Sequence, residues 1–204
     1  AVASYNEAIN RGWSTPLVHR NLGGTLRQLG KFHDAESSLK KAIELHPKFA
    51  DALNSLGNLF KDQEKLKEAE TNYIKAIEVN PSHYAAHYNL GIVLEARGLL
   101  HDSELSYRKA IAHGPNLAEP HNNLGVLLKN LGRFEDAQVQ FKKAIAIDPL
   151  CAPAYNGLGI TLLKNQDFGE GFRLAEWRWK TDQSIGDEFV SGKPKWSGER
   201  GQSV

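Results

Sequence analysis

Apolar residues along the chain fall in paired blocks with helical spacing, separated by short polar breaks. One such pair reads Leu53, Leu56 and Phe60, then Leu66, Ala69, Tyr73, Ala76 and Ile77. Steps of three and four residues place each block on one face of a helix. The breaks inside the pairs hold Gly30, Gly98 and Gly132, and glycine takes the left-handed conformation that ends a helix without steric cost. Glu64 and Gln166 stand there in two other pairs, which predicts strained or differently built turns. The breaks between pairs hold Pro47, Pro81, Pro115 and Pro149. Proline lacks an amide hydrogen and stops the second helix. The pattern therefore predicts an all-α chain of antiparallel helix pairs.

The pairs share one register. Gly23, Gly57, Gly91, Gly125 and Gly159 are 34 residues apart, and each follows a leucine. Small residues come next, at Ala35, Ala69, Ser103, Ala137 and Gly171. Large ones follow at Leu39, Tyr73, Tyr107 and Phe141, then alanines at Ala42, Ala76, Ala110 and Ala144. Each glycine and its small partner are expected where the two helices come closest. A larger side chain there would overpack the contact, at about 1–3 kcal/mol. The large residues are expected to fill the space between helices, each contributing about 1.5–3 kcal/mol on burial. The second alanines let the next pair stack closely.

This pattern, as in Ala86-His-Tyr-Asn89-Leu-Gly91 followed by a small residue, an aromatic, Ala-Ile and Pro, resembles the tetratricopeptide repeat, whose period is 34 residues. The resemblance covers residues 1 to about 180 and implies a right-handed superhelical solenoid of helix pairs. It divides the chain into residues 1–15, the second helix of a truncated repeat, and full repeats at 16–49, 50–83, 84–117 and 118–151. A degenerate repeat or capping helix follows at 152–180, and a linker or tail at 181–204. Ala1, Tyr5 and Ala8 align with Ala35, Leu39 and Ala42. That register predicts an uncapped first helix belonging to a longer protein. Trp177 and Trp179 are expected to cover the other end of the stack. The run from Phe168 to Lys180, with Pro194, Trp196, Gly198 and Glu199, resembles the junction where bacterial repeats lead into a glycosyltransferase-like domain. In that family the nucleotide-sugar motifs come after the junction, so no catalytic residue is carried over and this chain is not expected to be an enzyme. The resemblance implies an alternative use, as the substrate-recognition arm of a larger transferase.

In the repeat family the first helices line a concave face. Numbering each repeat from Pro16, Ala50, Tyr84, Ala118 and Ala152, positions 2, 5, 6, 9, 12 and 13 should face inward. These positions carry Asn21, Asn54, Asn58, Asn89, Asn122, Asn123 and Asn156, with Tyr88 among them. An amide offers both donor and acceptor and can pair with a peptide main chain. The row is similar to the asparagine ladder in the repeats of O-linked N-acetylglucosamine transferases. Two readings stay open: a ligand ladder, or hydrogen bonds between helices and to water. Arg20, Arg27, Lys61 and Lys129 add basic spots, offset by Asp51, Asp62, Glu95 and Glu119. The carboxylate clamp of chaperone-binding repeats is not expected, because Asn54, Glu119 and Asn123 stand where its basic residues belong.

Composition narrows the partner. Lys plus Arg is 25 and Asp plus Glu is 24, a balance that argues against nucleic acid. No apolar run approaches the roughly 20 residues that span a bilayer, and no signal peptide is visible. The one cysteine, Cys151, fits a reducing, cytoplasmic setting. It has no His-Asp pattern marking it as a nucleophile. His19, His87 and His121 share position 4. Stacked helices hold such residues about 8–10 Å apart, too far to share one metal ion, so packing is expected of them. Gly23-Gly24 lie inside a helix and make no phosphate loop. No cofactor is expected. The expected function is a scaffold holding a protein or peptide along the concave face, with self-association through the open repeat ends.

Overall fold

The computed structural model describes residues 1–175. The regular elements among the described residues are all helices. They are α1 (Val2–Asn10), α2 (Pro16–Gln28), α3 (Phe32–Leu45), α4 (Ala50–Asp62), α5 (Leu66–Val79), α6 (Tyr84–Ala96), α7 (Leu100–His113), α8 (Ala118–Asn130), α9 (Phe134–Ile147), α10 (Ala152–Lys164) and α11 (Phe168–Ala175). Trp177, Trp179, Pro194 and Trp196 lie outside the described residues, and with them the expectations of a capping helix and a tail. The chain forms two compact units, Ala1–Pro115 with α1 to α7, and a second beginning at Asn116 with α8 to α11.

The helix ends follow from local chemistry. Pro16 opens α2, and Thr15 Oγ1 accepts from the Val18 amide at 3.3 Å. Proline suits the first helical position, and a threonine cap satisfies an amide that has no partner within the helix. Each second helix stops two residues before its proline, at Leu45, Val79, His113 and Ile147. The residue preceding proline is pushed out of the helical region, and His46, with φ −145°, shows it. Inside the pairs Gly30, Gly98 and Gly132 have φ of 71°, 76° and 77°. Glu64 and Gln166 adopt the same conformation, at 59° and 65°. The two turns without glycine are therefore built like the others. Lys65 N–H closes on Phe60 O at 2.9 Å as Lys31 N–H closes on Leu26 O. A side chain in that region costs about 1–2 kcal/mol, and the closure of the turn offsets it.

The core adds the large residue of the partner helix to the close approach expected of the repeating glycines. A Cβ on Gly57 would lie 2.5 Å from the Tyr73 ring, on Gly91 2.6 Å from Tyr107, and on Gly125 2.8 Å from Phe141. In the first full pair it would lie 2.6 Å from Leu39. The glycine thus makes room chiefly for the large residue of its partner helix, not for the small one. The small residue meets the glycine backbone instead, as where Ser103 Oγ donates to Gly91 O at 2.8 Å. Tyr73, Tyr107, Phe141 and Leu39 are all buried, and Ala42, Ala76, Ala110 and Ala144 are buried beside them. Ala76 of α5 packs with Ala50, Leu53 and Ala86, joining one pair to the next. At the start of the chain Val2, Tyr5 and Ile9 of α1 pack on the cluster of Leu22, Leu26, Ala35, Leu39, Leu56 and Leu59.

The histidines at position 4 are buried and individually partnered. His19 Nε2 pairs with Ser14 Oγ at 2.8 Å, and His121 Nδ1–H donates to Gln140 Oε1 at 2.9 Å. His87 Nε2–H donates to Pro81 O at 2.8 Å, and its ring stacks on His113 with centroids 5.5 Å apart. Among the described residues no group of three or more His, Cys, Asp or Glu side chains is placed to hold a metal ion.

Two predictions follow from this packing. Gly57→Ala should lower stability by about 1–3 kcal/mol, because the Tyr73 ring has no room to yield. Gly24→Ala is the control. Nothing lies within 4 Å of its Cβ, so the gain in helix propensity, about 0.8–1.0 kcal/mol, should show as added stability. Urea unfolding of both variants measures the contrast, and equal midpoints would contradict it. The second prediction concerns pH. Burial lowers the pKa of His87, and the neighbouring His113, Lys109 and His83 add to this against the bond to Pro81. Burial and then Lys41 lower that of His19. The unfolded chain therefore binds more protons below the ordinary histidine value of about 6.5. The contribution of these groups is complete above that pH and is lost as pH falls toward the depressed folded values. His87→Gln should reduce the loss of urea midpoint between pH 7.5 and pH 5, and an unchanged loss would remove His87 from the account.

Candidate functional site

The first unit contains a polar cleft of about 310 Å³ between α1, α2 and α4. Its walls are Tyr5 from α1, then Arg20, Asn21, Gly24, Thr25, Arg27 and Gln28 from α2, and Asn54, Ser55 and Asn58 from α4. Residues 20, 21, 24, 27 and 28 share one helix face, because their spacings are those of a 3.6-residue turn. Asn54, Ser55 and Asn58 occupy the matching turns of α4.

Several of these groups already have partners inside the protein. Arg20 Nη1 donates to Asn21 Oδ1 at 3.1 Å, whereas Arg20 Nε is buried without a hydrogen-bond partner. Arg27 Nη1 meets Asp62 Oδ2 at 2.5 Å across the α2–α4 contact. Asn58 Oδ1 accepts from the Tyr73 hydroxyl at 2.8 Å. That tyrosine is wholly buried, so the ring that fills the core also fixes an amide in the cleft. Ser55 Oγ donates back to Asp51 O at 2.7 Å.

The amide row divides on inspection. Asn89 Nδ2 donates to Asn54 Oδ1 at 3.0 Å, and both residues are buried. For this pair the helix-to-helix reading describes the amide of Asn89, which ties α6 to α4. Tyr88 is half-buried, its ring 6.1 Å from that of Tyr107. The Tyr107 hydroxyl donates to Glu95 Oε2 at 2.9 Å, and burial followed by Glu95 pushes this phenol well above its ordinary range. Lys61 is half-buried and does not line the cleft. In the second unit Asn122 Nδ2 donates to Asn123 Oδ1 at 3.2 Å. Asn122 Oδ1 and Asn156 Oδ1 are buried acceptors without a partner, on α8 and α10. Lys129 is half-buried on α8.

Tyr5 and Thr25 line the cleft from outside the positions expected to face inward, whereas Gly24 occupies one of them, position 9, without having been singled out. A signal for Gly24 was present. The equivalent positions of the other first helices carry Asn58, Ile92, Val126 and Ile160, so a glycine there marks missing volume. Burial pushes the Cys151 thiol up, with Asp148 and Glu119 adding to the effect against a backbone hydrogen bond from Ala154, and this disfavours the thiolate. No helix among the described residues is long and apolar enough to cross a membrane.

Comparison with known proteins agrees with the fold. No curated protein matches the chain. The structure of YrrB, described as a TPR protein with an unusual peptide-binding site, is similar with a TM-score of 0.69 and 22% identity, over 90% of this chain and 94% of that one. MamA from Desulfovibrio magneticus RS-1 is similar with a TM-score of 0.72 and 19% identity, over 84% of this chain and 97% of that one. The pilF protein of Pseudomonas aeruginosa gives 0.76 and 20%, over 87% of this chain and 78% of that one. At these identities the likeness is one of fold. Models of the tetratricopeptide repeat match residues 20–70, 54–118 and 118–150. They span well over half of the sequence, and the chain belongs to the tetratricopeptide repeat family.

Proposed function

We propose that this chain is a protein-interaction scaffold that holds an extended segment of a partner in the cleft between α1, α2 and α4. The observation that carries the reading is the cleft itself, a concave surface about 310 Å³ in volume whose walls are largely amides, hydroxyls and guanidinium groups. Apolar clefts suit small apolar ligands. A wall of amides instead matches the alternating N–H and C=O groups of an extended main chain. Asn21, Asn54, Ser55 and Asn58 are the residues assigned to main-chain contact, and Gln28 extends the row at the open edge. YrrB, which shares the fold, is described as having a peptide-binding site, and this supports the reading. Asn89 acts through Asn54, whose carbonyl it orients.

Gly24→Phe tests the assignment. The new ring projects into the cleft, where nothing lies within 4 Å of the Cβ position, and so spares the core. Binding to an array of end-capped nonapeptides of mixed sequence should fall about tenfold, with the unfolding midpoint held. Array binding equal to that of the wild type would sink the proposal. Asn89→Ala should behave differently, because it leaves the buried Asn54 carbonyl without its donor. Stability should fall by about 1–3 kcal/mol, and peptide binding should weaken in step. A variant as stable as the parent would show that the Asn54–Asn89 bond orders nothing.

A further inference from the structure

We infer that the cleft receives a carboxylate side chain of the partner, glutamate or aspartate, and that Arg20 is the group that takes it. The inference rests on the binding reading above and adds the chemistry of the occupant.

The first observation is the state of the guanidinium. Arg20 Nε is buried and lacks a hydrogen-bond partner, while Nη1 is turned to Asn21 Oδ1 at 3.1 Å. A guanidinium presents its donors as a rigid planar fork. A carboxylate matches that fork with two parallel, charge-assisted bonds, which neutral amide oxygens cannot supply with equal strength. The Nε–H is one tine of the fork and is the donor left without an acceptor.

The second observation is the charge of the cleft. Arg20 and Arg27 are the charged residues of its wall, and the remaining lining residues are neutral. Arg27 is neutralised by Asp62 at 2.5 Å. Tyr5, Asn21, Thr25, Asn54, Ser55 and Asn58 carry no charge that would repel an anion. The charge of Arg20 is therefore the one the cleft presents to an occupant.

The third observation is the approach. Gly24 lies one helical turn from Arg20 on the same face of α2. A Cβ there would meet nothing within 4 Å, whereas Asn58, Ile92, Val126 and Ile160 fill the equivalent positions elsewhere. The absent side chain opens the cleft floor next to the guanidinium, so that a partner side chain can enter where this helix contributes none.

The test uses the full chain and two end-capped nonapeptides, one alternating Ala with Glu and one alternating Ala with Gln, read by fluorescence anisotropy. Capping leaves the side chains as the only carboxylates. The Glu peptide should bind about tenfold tighter, and Arg20→Gln should abolish the difference between the two peptides. The Arg20 Nε–H resonance of the wild-type protein should move on adding the Glu peptide and not on adding the Gln peptide, a readout that does not depend on the variant folding. Equal affinities, or a resonance indifferent to the Glu peptide, would overturn the carboxylate assignment and leave main-chain binding standing. Binding of the Glu peptide with none of the Gln peptide would support Arg20 and remove the main-chain amides from the account. Failure of both peptides to bind would overturn both.

Discussion

The structure depends on one contact made in every full pair, the approach of a first-helix glycine to a large side chain of the second helix. The clearance is so small that a single added carbon would lie 2.5–2.8 Å from the opposing side chain. Interiors packed at crystal density do not absorb such an insertion without moving backbone. The contact sets the distance between the two helices of a pair, and that distance fixes where the outer face of the first helix lies. Burial of the large residue and omission of a side chain at the glycine are thus two halves of one device.

The same contact reaches the first-helix face. Tyr73 fills the space opened by Gly57, and its hydroxyl emerges to hold Asn58 Oδ1 at 2.8 Å. Tyr107 does the same beside Gly91 and ends on Glu95. The buried rings therefore act as struts between the core and the first-helix face. Where the strut is Leu39, in the first full pair, no hydroxyl reaches outward. The cleft there is bounded by Gly24 and the side chains of Arg20 and Arg27.

The amides of the first helices differ in whether the protein itself satisfies them. Asn89 spends its donor on Asn54, across neighbouring first helices. Asn122 and Asn156 keep buried oxygens without partners. Leaving such a group unmet costs about 1–3 kcal/mol. Asparagines at positions 5 and 6 of successive first helices thus bond differently, because their neighbours differ.

The period of 34 residues, the proline stops and the alternation of apolar blocks determined the helices and their pairing, because each is a local rule written in neighbouring residues. The left-handed turns were legible at Gly30, Gly98 and Gly132 for the same reason. At Glu64 and Gln166 local preference pointed away from the observed conformation, and the closure of two packed helices overrode it. Which side chain each glycine clears, which asparagine bonds to which, and which guanidinium nitrogen is left unpaired were decided by tertiary structure alone. Contacts such as Asn54–Asn89 and Gly91–Ser103 depend on distances set to a few tenths of an ångström between residues 35 and 12 positions apart. A sequence period places such residues on facing surfaces, but only the packed interior sets how near they come.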